Sequence, residues 1–188
     1  MDHQDFWQGK YPESIARTID TNIYPTILDL FKEACRKYAN KPAFSNMGRT
    51  LTFAEVDKYS ATFAAWIQQN TDLQVGDRIA VQMPNLLQYP IVVFGAMRAG
   101  LVIVNTNPLY TAREMEHQFK DAGCKALVTL ANFGQLVQEV LPKTGIRYVI
   151  ISELADMLPF PKRVVVNNIV KYVKKLVPAY HLPMAIPF

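Results

Sequence analysis

At 188 residues, half of them hydrophobic and 19% charged, the chain carries enough apolar side chain to close a sizeable core, which excludes a disordered segment. Its formal charge of +4 is unevenly held: through Asp156 there are 15 Lys and Arg against 16 Asp and Glu, and the last five cations (Lys162, Arg163, Lys171, Lys174, Lys175) follow without an acid among them. A near-neutral body of this kind argues against a nucleic-acid groove, which needs basic and aromatic residues interleaved over one face.

Two well-separated cysteines, Cys35 and Cys124, do not make a disulfide framework and fit a reducing cytoplasm. The opening residues 1–10 are polar and acidic, so no secretory leader is expected there. The longest apolar run, 91–104, is interrupted by Arg98 and is too short to cross a bilayer.

Residues 1–25 read as an extended arm, with Phe6, Trp7, Tyr11 and Tyr24 as apolar anchors and Pro12 and Pro25 opposing a helix. Thr26 can cap a helix to about residue 39, along which Ile27, Leu30, Phe31, Ala34 and Tyr38 recur at helical spacing. Segments 43–46 and 50–53 flank Met47-Gly48-Arg49 as a short hairpin. Thr52 and Glu55 have capping-box spacing ahead of a second helix that carries Val56, Phe63, Ala64, Trp66 and Ile67.

Gly76-Asp77 makes a turn into a strand at 78–83, and Asn85 is placed to open a mostly apolar helix toward Ala99. Pro90 is tolerable in that helix only within its first turn, where N–H groups have no intrahelical partner. Gly100 suits the C-terminal cap, and 101–104 is an apolar strand. Strand, apolar helix and apolar strand in succession make a βαβ unit, with a parallel sheet buried on both faces. Gly95, Ala96, Ala99 and Gly100 would let the helix approach that sheet closely. Thr111 with Glu114 opens the next helix to about Ala122, 126–130 is a strand, an Asn132 loop leads to a helix ending near Leu141, and 147–151 is a strand. The expected fold is α/β and doubly wound, with one body over 1–158 and, after Pro159 and Pro161, a separate basic segment over 159–188.

Parallel α/β sheets often bind nucleotides at the carboxyl ends of their strands. The eight glycines, however, are scattered, and none forms a phosphate loop of clustered backbone N–H groups. Of the histidines, His3, His117 and His181, none stands in a pattern with a nucleophile and an acid. His117 lies near Glu114 and Glu116, where an exposed helix face is the simpler reading than a metal site. Cys124 reads as a small core residue rather than a nucleophile. No catalytic residue and no metal ligand is assigned.

Residues 83–128 carry a recognisable pattern: Met83-Pro84-Asn85, an apolar helix closing on Arg98-Ala99-Gly100, a strand, Asn107-Pro108, Tyr110-Thr111 and then Glu114. This resembles the first α/β region of the adenylate-forming superfamily, and "LTFAEVDKYSATFAAWI" and "GDRIAV" fit it in order. "PNLLQYP", "NTNPLYTAREMEHQ" and the tail "IVKYVKKLVPAYHLP" look most like the bacterial long-chain fatty acyl-CoA synthetases. The resemblance implies an enzyme that activates fatty acid with ATP and Mg to an acyl-adenylate and passes the acyl group to CoA. It also implies that the Ser/Thr/Gly-rich triphosphate loop, the acid and the mobile lysine lie beyond Phe188, so this chain by itself is expected to be inactive and to bind none of these groups tightly. One local role carries over: the turn Asn107, Pro108, Leu109 and Tyr110 would border the CoA channel, beside the plainer reading of an Asn-Pro turn with Thr111 capping the next helix.

On a helical wheel the tail 163–177 puts Val165, Val166, Ile169, Val170, Tyr172, Val173, Leu176 and Val177 on one side. Arg163, Asn167, Asn168, Lys171, Lys174 and Lys175 fall on the other, and Val164 is out of place. An apolar face bordered by lysines fits peripheral contact with the inner face of a membrane through Lys171, Lys174 and Lys175. It equally fits an amphipathic helix packed on protein, and the valines make it intrinsically weak. Three functions remain open at this point: part of a fatty acid–CoA ligase, another branch of the same superfamily, or a noncatalytic α/β module that binds lipid or a partner. A homodimer bridged by the N-terminal arm is compatible with each.

Overall fold

The computed structural model describes residues 10–16 and 18–188. The proposed anchors Phe6 and Trp7, and His3, lie outside the described residues. Of the segment read as an extended arm, residues 10–16 and 18–25 form turns and bends, with contacts such as Ile15 N to Pro12 O and Asn22 N to Asp20 Oδ1. Tyr11 and Tyr24, read as anchors, are exposed.

Helix α1 (Ile27–Lys37) starts where expected: the Thr26 hydroxyl accepts from Asp29 N. Its buried face is Phe31 and Cys35, with Leu28 beside them, whereas Ile27, Leu30 and Tyr38 are exposed. The apolar stripe on this helix is wider than the surface it packs on. Strands β1 (Pro42–Asn46) and β2 (Arg49–Thr52) form the expected hairpin. Met47 (φ 50°) and Gly48 (φ 79°) take the left-handed conformation that a two-residue hairpin turn requires. Helix α2 (Phe53–Asn70) opens on a complete capping box, in which Thr52 Oγ1 accepts from Glu55 N and the Glu55 carboxylate accepts from Thr52 N.

The main sheet contains β3 (Arg78–Gln82), β4 (Val102–Asn105), β5 (Cys124–Leu130), β6 (Tyr148–Ser152) and β7 (Ile186–Pro187), all parallel, in the order β4-β3-β5-β6-β7. Helix α3 (Gln88–Arg98) links β3 to β4, α4 (Ala112–Asp121) links β4 to β5, and α5 (Gly134–Val140) lies between β5 and β6. The period-two alternation of the strands divides the core. Ile79, Val81, Ala126, Val128, Leu130 and Ile150 face α1, α2 and α3, while Ala80, Leu127 and Val149 face α4 and α5. Helices on both faces make the sheet doubly wound, as expected.

Three details differ from the sequence reading. Asn85 does not cap α3; the helix begins at Gln88, and the Asn85 carbonyl accepts from Asn46 Nδ2 of the hairpin instead. Pro90 nevertheless falls in the first turn, where it displaces no hydrogen bond. Strand β4 is not buried on both faces. It is the sheet edge, with Val102 exposed, because the chain doubles back past β3 after forming it. Finally, Gly95 faces α2 rather than the sheet: a Cβ there would lie 2.7 Å from Phe63 Cδ1 and 2.9 Å from the Ser60 carbonyl oxygen.

After a cis Phe160-Pro161 bond, helix α6 (Lys162–Asn168) runs into a wider π-type turn, Ile169–Val173. Val166, Asn167 and Val170 face inward, and Val164, Val165, Ile169, Tyr172 and Val173 face outward. Asn167 therefore sits on the opposite side from the one a regular wheel assigns. The physical reason is polar: its amide bonds to the body in three places, as described below. The chain then crosses the carboxyl edge of the sheet and ends as β7, pairing with β6 through Ile150 and Ile151.

Candidate functional site at the carboxyl edge of the sheet

The order β4-β3-β5 reverses direction at β3, so the crevice of a doubly wound sheet falls between the carboxyl ends of β3 and β5. Two buried polar side chains sit at that level, Gln82 and Thr129, where the surrounding strands are apolar. Thr129 Oγ1 donates to Gln82 Oε1 at 3.0 Å, and Gln82 Nε2 reaches Met115 Sδ at 3.4 Å. The pair ties β3, β5 and α4 together. With its carbonyl and amide both engaged, Gln82 is turned into the core and not toward a ligand.

Past the end of β5 the tail packs beside the start of α5. Asn132, just past β5, donates through Nδ2 to the Leu176 carbonyl at 2.9 Å, and His181 N donates to Gln138 Oε1. The Tyr180 ring lies against Gly134, so close that a Cβ at Gly134 would fall 2.3 Å from Tyr180 Cδ1. Burial pushes the Tyr180 phenol above its ordinary pKa.

A second polar cluster fixes the start of the tail. Gln88, buried at the first turn of α3, donates to Ser152 Oγ (3.2 Å) and to the Glu153 carbonyl (3.0 Å). Ser152 Oγ donates to Asp156 Oδ2 at 3.0 Å. Asn167 completes it: Nδ2 donates to Glu153 Oε2 (2.8 Å) and Asp156 Oδ1 (3.3 Å), and Oδ1 accepts from Ala155 N (2.9 Å). Sequence reasoning missed Gln82, Gln88, Thr129, Ser152 and Asn167 as a set. The available signal was a polar residue at an otherwise apolar stretch, but their partners lie up to 65 positions away.

The turn Asn107, Pro108, Leu109 and Tyr110 lies at the end of β4, on the same edge. Asn107 Oδ1 accepts from Leu109 N at 3.0 Å and its carbonyl accepts from Tyr110 N at 3.1 Å, so the asparagine builds the turn it occupies. Leu109 stands out from it, 87% exposed, while Pro108 and Tyr110 are half-buried. Thr111 and Glu114 form the second capping box, and the hydrogen bonds from Thr111 N and Thr111 Oγ1 hold the Glu114 carboxyl below its ordinary pKa. Glu114 is therefore committed to the helix start and does not pair with His117, which is exposed.

Other motif residues are structural. Arg98 of α3 bonds to Asp57 and to Ser60 Oγ on α2 and lies over the Phe31 ring at 5.6 Å. Gly100 (φ 78°) ends α3 in the left-handed conformation beside Val75. Burial raises the thiols of both Cys35 and Cys124 to about 11, which leaves them protonated and unreactive at neutral pH. Among the described residues no three His, Cys, Asp or Glu side chains group as metal ligands. Their positive-φ glycines, Gly48, Gly76, Gly100 and Gly123, each serve a separate turn. ATP and Mg therefore do not fit the described residues: among them there is neither a cradle of backbone N–H groups nor a cluster of three acidic side chains. A cavity of about 410 Å³ lies elsewhere, between α2 and β7, lined by Phe63, Trp66, Ile91, Met157 and Phe188 with Arg49 at its polar side. Lys171, Lys174 and Lys175 are exposed on the tail, and among the described residues none of them is in an ion pair.

Comparison with known proteins places this architecture. The chain is 46% identical over 182 residues to a long-chain-fatty-acid–CoA ligase of Escherichia coli O6:H1, an alignment that covers 97% of this chain and 32% of that protein. It is 48% identical over 185 residues to the ligase of the same description from Haemophilus influenzae, covering 98% and 33%. The chain thus spans about a third of the length of these relatives. Among solved structures, the anthranilate CoA ligase AuaEII in complex with anthranoyl-AMP superposes with a TM-score of 0.66 at 17% identity, over 71% of this chain and 26% of that one. Mycobacterium smegmatis MbtA does so with a TM-score of 0.63 at 27% identity, over 66% and 24%. A family profile described as AMP-binding enzyme matches residues 31–179, from α1 through the basic tail. On that match, which spans most of the chain, the chain belongs to the AMP-binding enzyme family.

Proposed function

We propose that this chain is the N-terminal portion of a long-chain fatty acid–CoA ligase, one that uses ATP and Mg to form an acyl-adenylate and transfers the acyl group to CoA. The observation that carries the reading is identity of 46–48% with long-chain-fatty-acid–CoA ligases over 97–98% of the chain. Its own residues act as scaffold. They build a doubly wound sheet, pack the tail beside α5, and present the β4 turn at the edge. ATP and Mg would be held by parts of the ligase outside the portion this chain spans, and no chemical step is assigned to any residue here.

For CoA, the turn Asn107, Pro108, Leu109 and Tyr110 supplies a wall rather than a binding pocket. The projecting Leu109 and the half-buried Pro108 and Tyr110 offer an apolar ledge to the pantetheine arm, and the Asn107 bonds hold it in place. The ledge has no charge with which to fix the nucleotide end.

ATP–pyrophosphate exchange, run on the product of the full reading frame with palmitate, benzoate and amino acids as substrates, tests the assignment. Palmitate-dependent exchange is the expected result, with none from residues 1–188 alone. Exchange confined to benzoate or to an amino acid would assign the chain to another branch of the superfamily.

A further inference from the structure

The apolar ledge at the end of β4 hangs from Asn105, the last residue of an edge strand, and Asn105 is gripped by helices from both faces of the sheet. Val102 N donates to the Asp77 carbonyl and Thr106 N to the Val81 carbonyl, so the even-numbered residues of β4 turn their backbone groups to β3. The period of two along a strand leaves the Asn105 carbonyl facing the open side of β4. A backbone acceptor at such an edge needs a partner from outside the sheet. Gln118 Nε2 of α4 supplies it at 3.0 Å. The other atom of that amide, Gln118 Oε1, is buried with no hydrogen-bond partner among the described residues. The glutamine amide is thus desolvated for a single bond.

The Asn105 side chain is held from the other face. It shares that face with Ile103, which packs with the core under α1, α2 and α3. Its Oδ1 accepts from the Tyr89 hydroxyl of α3 at 2.9 Å, and the Tyr89 ring packs against the same core. Both grips therefore close two positions before Asn107, where the turn begins. The Asn107 bonds fold the turn on itself, whereas the bonds at Asn105 and Thr106 decide where it stands relative to the sheet.

We propose that Tyr89 and Gln118 are positioning residues for the CoA-dependent half of the reaction. Gripping Asn105 by its side chain and by its carbonyl, they set the height at which Pro108, Leu109 and Tyr110 meet the pantetheine arm. Neither residue touches CoA. The proposal rests on the reading of that turn as a wall of the CoA channel. Both bonds join residues within the sheet and its own helices, so they hold whichever surfaces other parts of the ligase cover. A wall freed to shift weakens the hold on CoA equally before and during acyl transfer, which raises KM for CoA and spares kcat. The acyl-adenylate forms without CoA, so its formation is untouched.

The test takes the product of the full reading frame through two assays: palmitate-dependent ATP–pyrophosphate exchange, which needs no CoA, and palmitoyl-CoA formation at varied CoA. Y89F removes one hydroxyl, Q118L removes the amide donor at similar volume, and L109A removes the ledge itself. Y89F and Q118L should each raise KM for CoA roughly fivefold, the worth of one net hydrogen bond. Their kcat and pyrophosphate exchange should stay within about twofold of the parent. Y89F/L109A should be no worse than L109A, because a hydroxyl that acts through the ledge then has nothing to position. Amide hydrogen exchange at Leu109 and Tyr110 should quicken in Y89F and Q118L while that of β3 and β5 stays as in the parent, a readout that needs no activity. Unchanged exchange at those two amides would overturn the proposal whatever the protein catalyses. A raised KM in L109A, with Y89F and Q118L at the parent value, would overturn it and leave the wall reading standing. The parent KM in L109A would instead remove the wall reading and the proposal together. Equal loss of pyrophosphate exchange and of palmitoyl-CoA formation in Y89F would show a general structural role and overturn the positioning one.

Discussion

Replacing Gly95 with alanine puts a methyl group where helix α3 touches helix α2. The new Cβ would lie 2.7 Å from Phe63 Cδ1, 2.9 Å from the Ser60 carbonyl oxygen and 3.0 Å from Phe63 Cβ. The phenyl ring could turn aside, but the Ser60 carbonyl belongs to helix backbone and can yield only if α2 and α3 separate. Overpacking of this kind costs about 1–3 kcal/mol. Alanine recovers up to ~1 kcal/mol over glycine in a helix interior. The net expectation is a loss of about 1–2 kcal/mol. Urea unfolding followed by far-UV circular dichroism reads it as a midpoint lower by roughly 0.5–1 M, taking a slope of about 2 kcal/mol per M. Shortening Phe63 to leucine removes the ring, the closest of the three contacts, while keeping Cβ, so G95A/F63L should lose less than the sum of its single variants, by at least ~0.5 kcal/mol. A G95A midpoint equal to or above that of the parent would refute the argument that Gly95 exists for this close approach. Strict additivity with F63L would locate the strain elsewhere.

Two further predictions concern charge and thiols. Asp72 is held below the ordinary carboxylate range by the Arg147 hydrogen bond, Asp77 by the bond from Gln74 N and then by Lys125, and Glu116 by Lys120. Groups whose folded pKa is depressed stabilise the fold above their unfolded pKa near 4, and that contribution is lost as pH falls through the folded values. The melting temperature should therefore be flat above about pH 5 and fall below about pH 4. D77N should be less stable than the parent at pH 7, with the gap closing on acidification; a gap that stays constant to pH 3 contradicts the assignment. The two buried thiols, raised to about 11, should resist Ellman's reagent in the native chain and both react once denaturant is added. Rapid native labelling of either would show that its burial is not maintained.

How far the sequence could be read depended on the range of the interaction concerned. The capping boxes Thr52–Glu55 and Thr111–Glu114, the hairpin turn at Met47-Gly48 and the first-turn place of Pro90 were all legible. Each joins residues a few positions apart, and backbone chemistry alone decides it. Asn85 had every local mark of a helix cap, yet its backbone serves Asn46 of the hairpin, 39 residues away. Gly95 was recognised as a packing glycine, but the surface it approaches was misjudged, since spacing cannot say which of two neighbours comes closer.

By itself, then, the amino-acid sequence determined the alternation of strands and helices, the caps, the neutral body and the acid-free tail, because periodicity and composition follow from the side chains without knowledge of the fold. Tertiary structure alone decided that β4 is an edge, that Leu176 and Tyr180 pack against Asn132 and Gly134, and that Asn167 turns the tail's apolar strip outward. The last two share a physical reason. A buried polar group must find its partner wherever the chain brings one, and the partners of Asn132 and Asn167 lie in segments that meet them only once the sheet has formed.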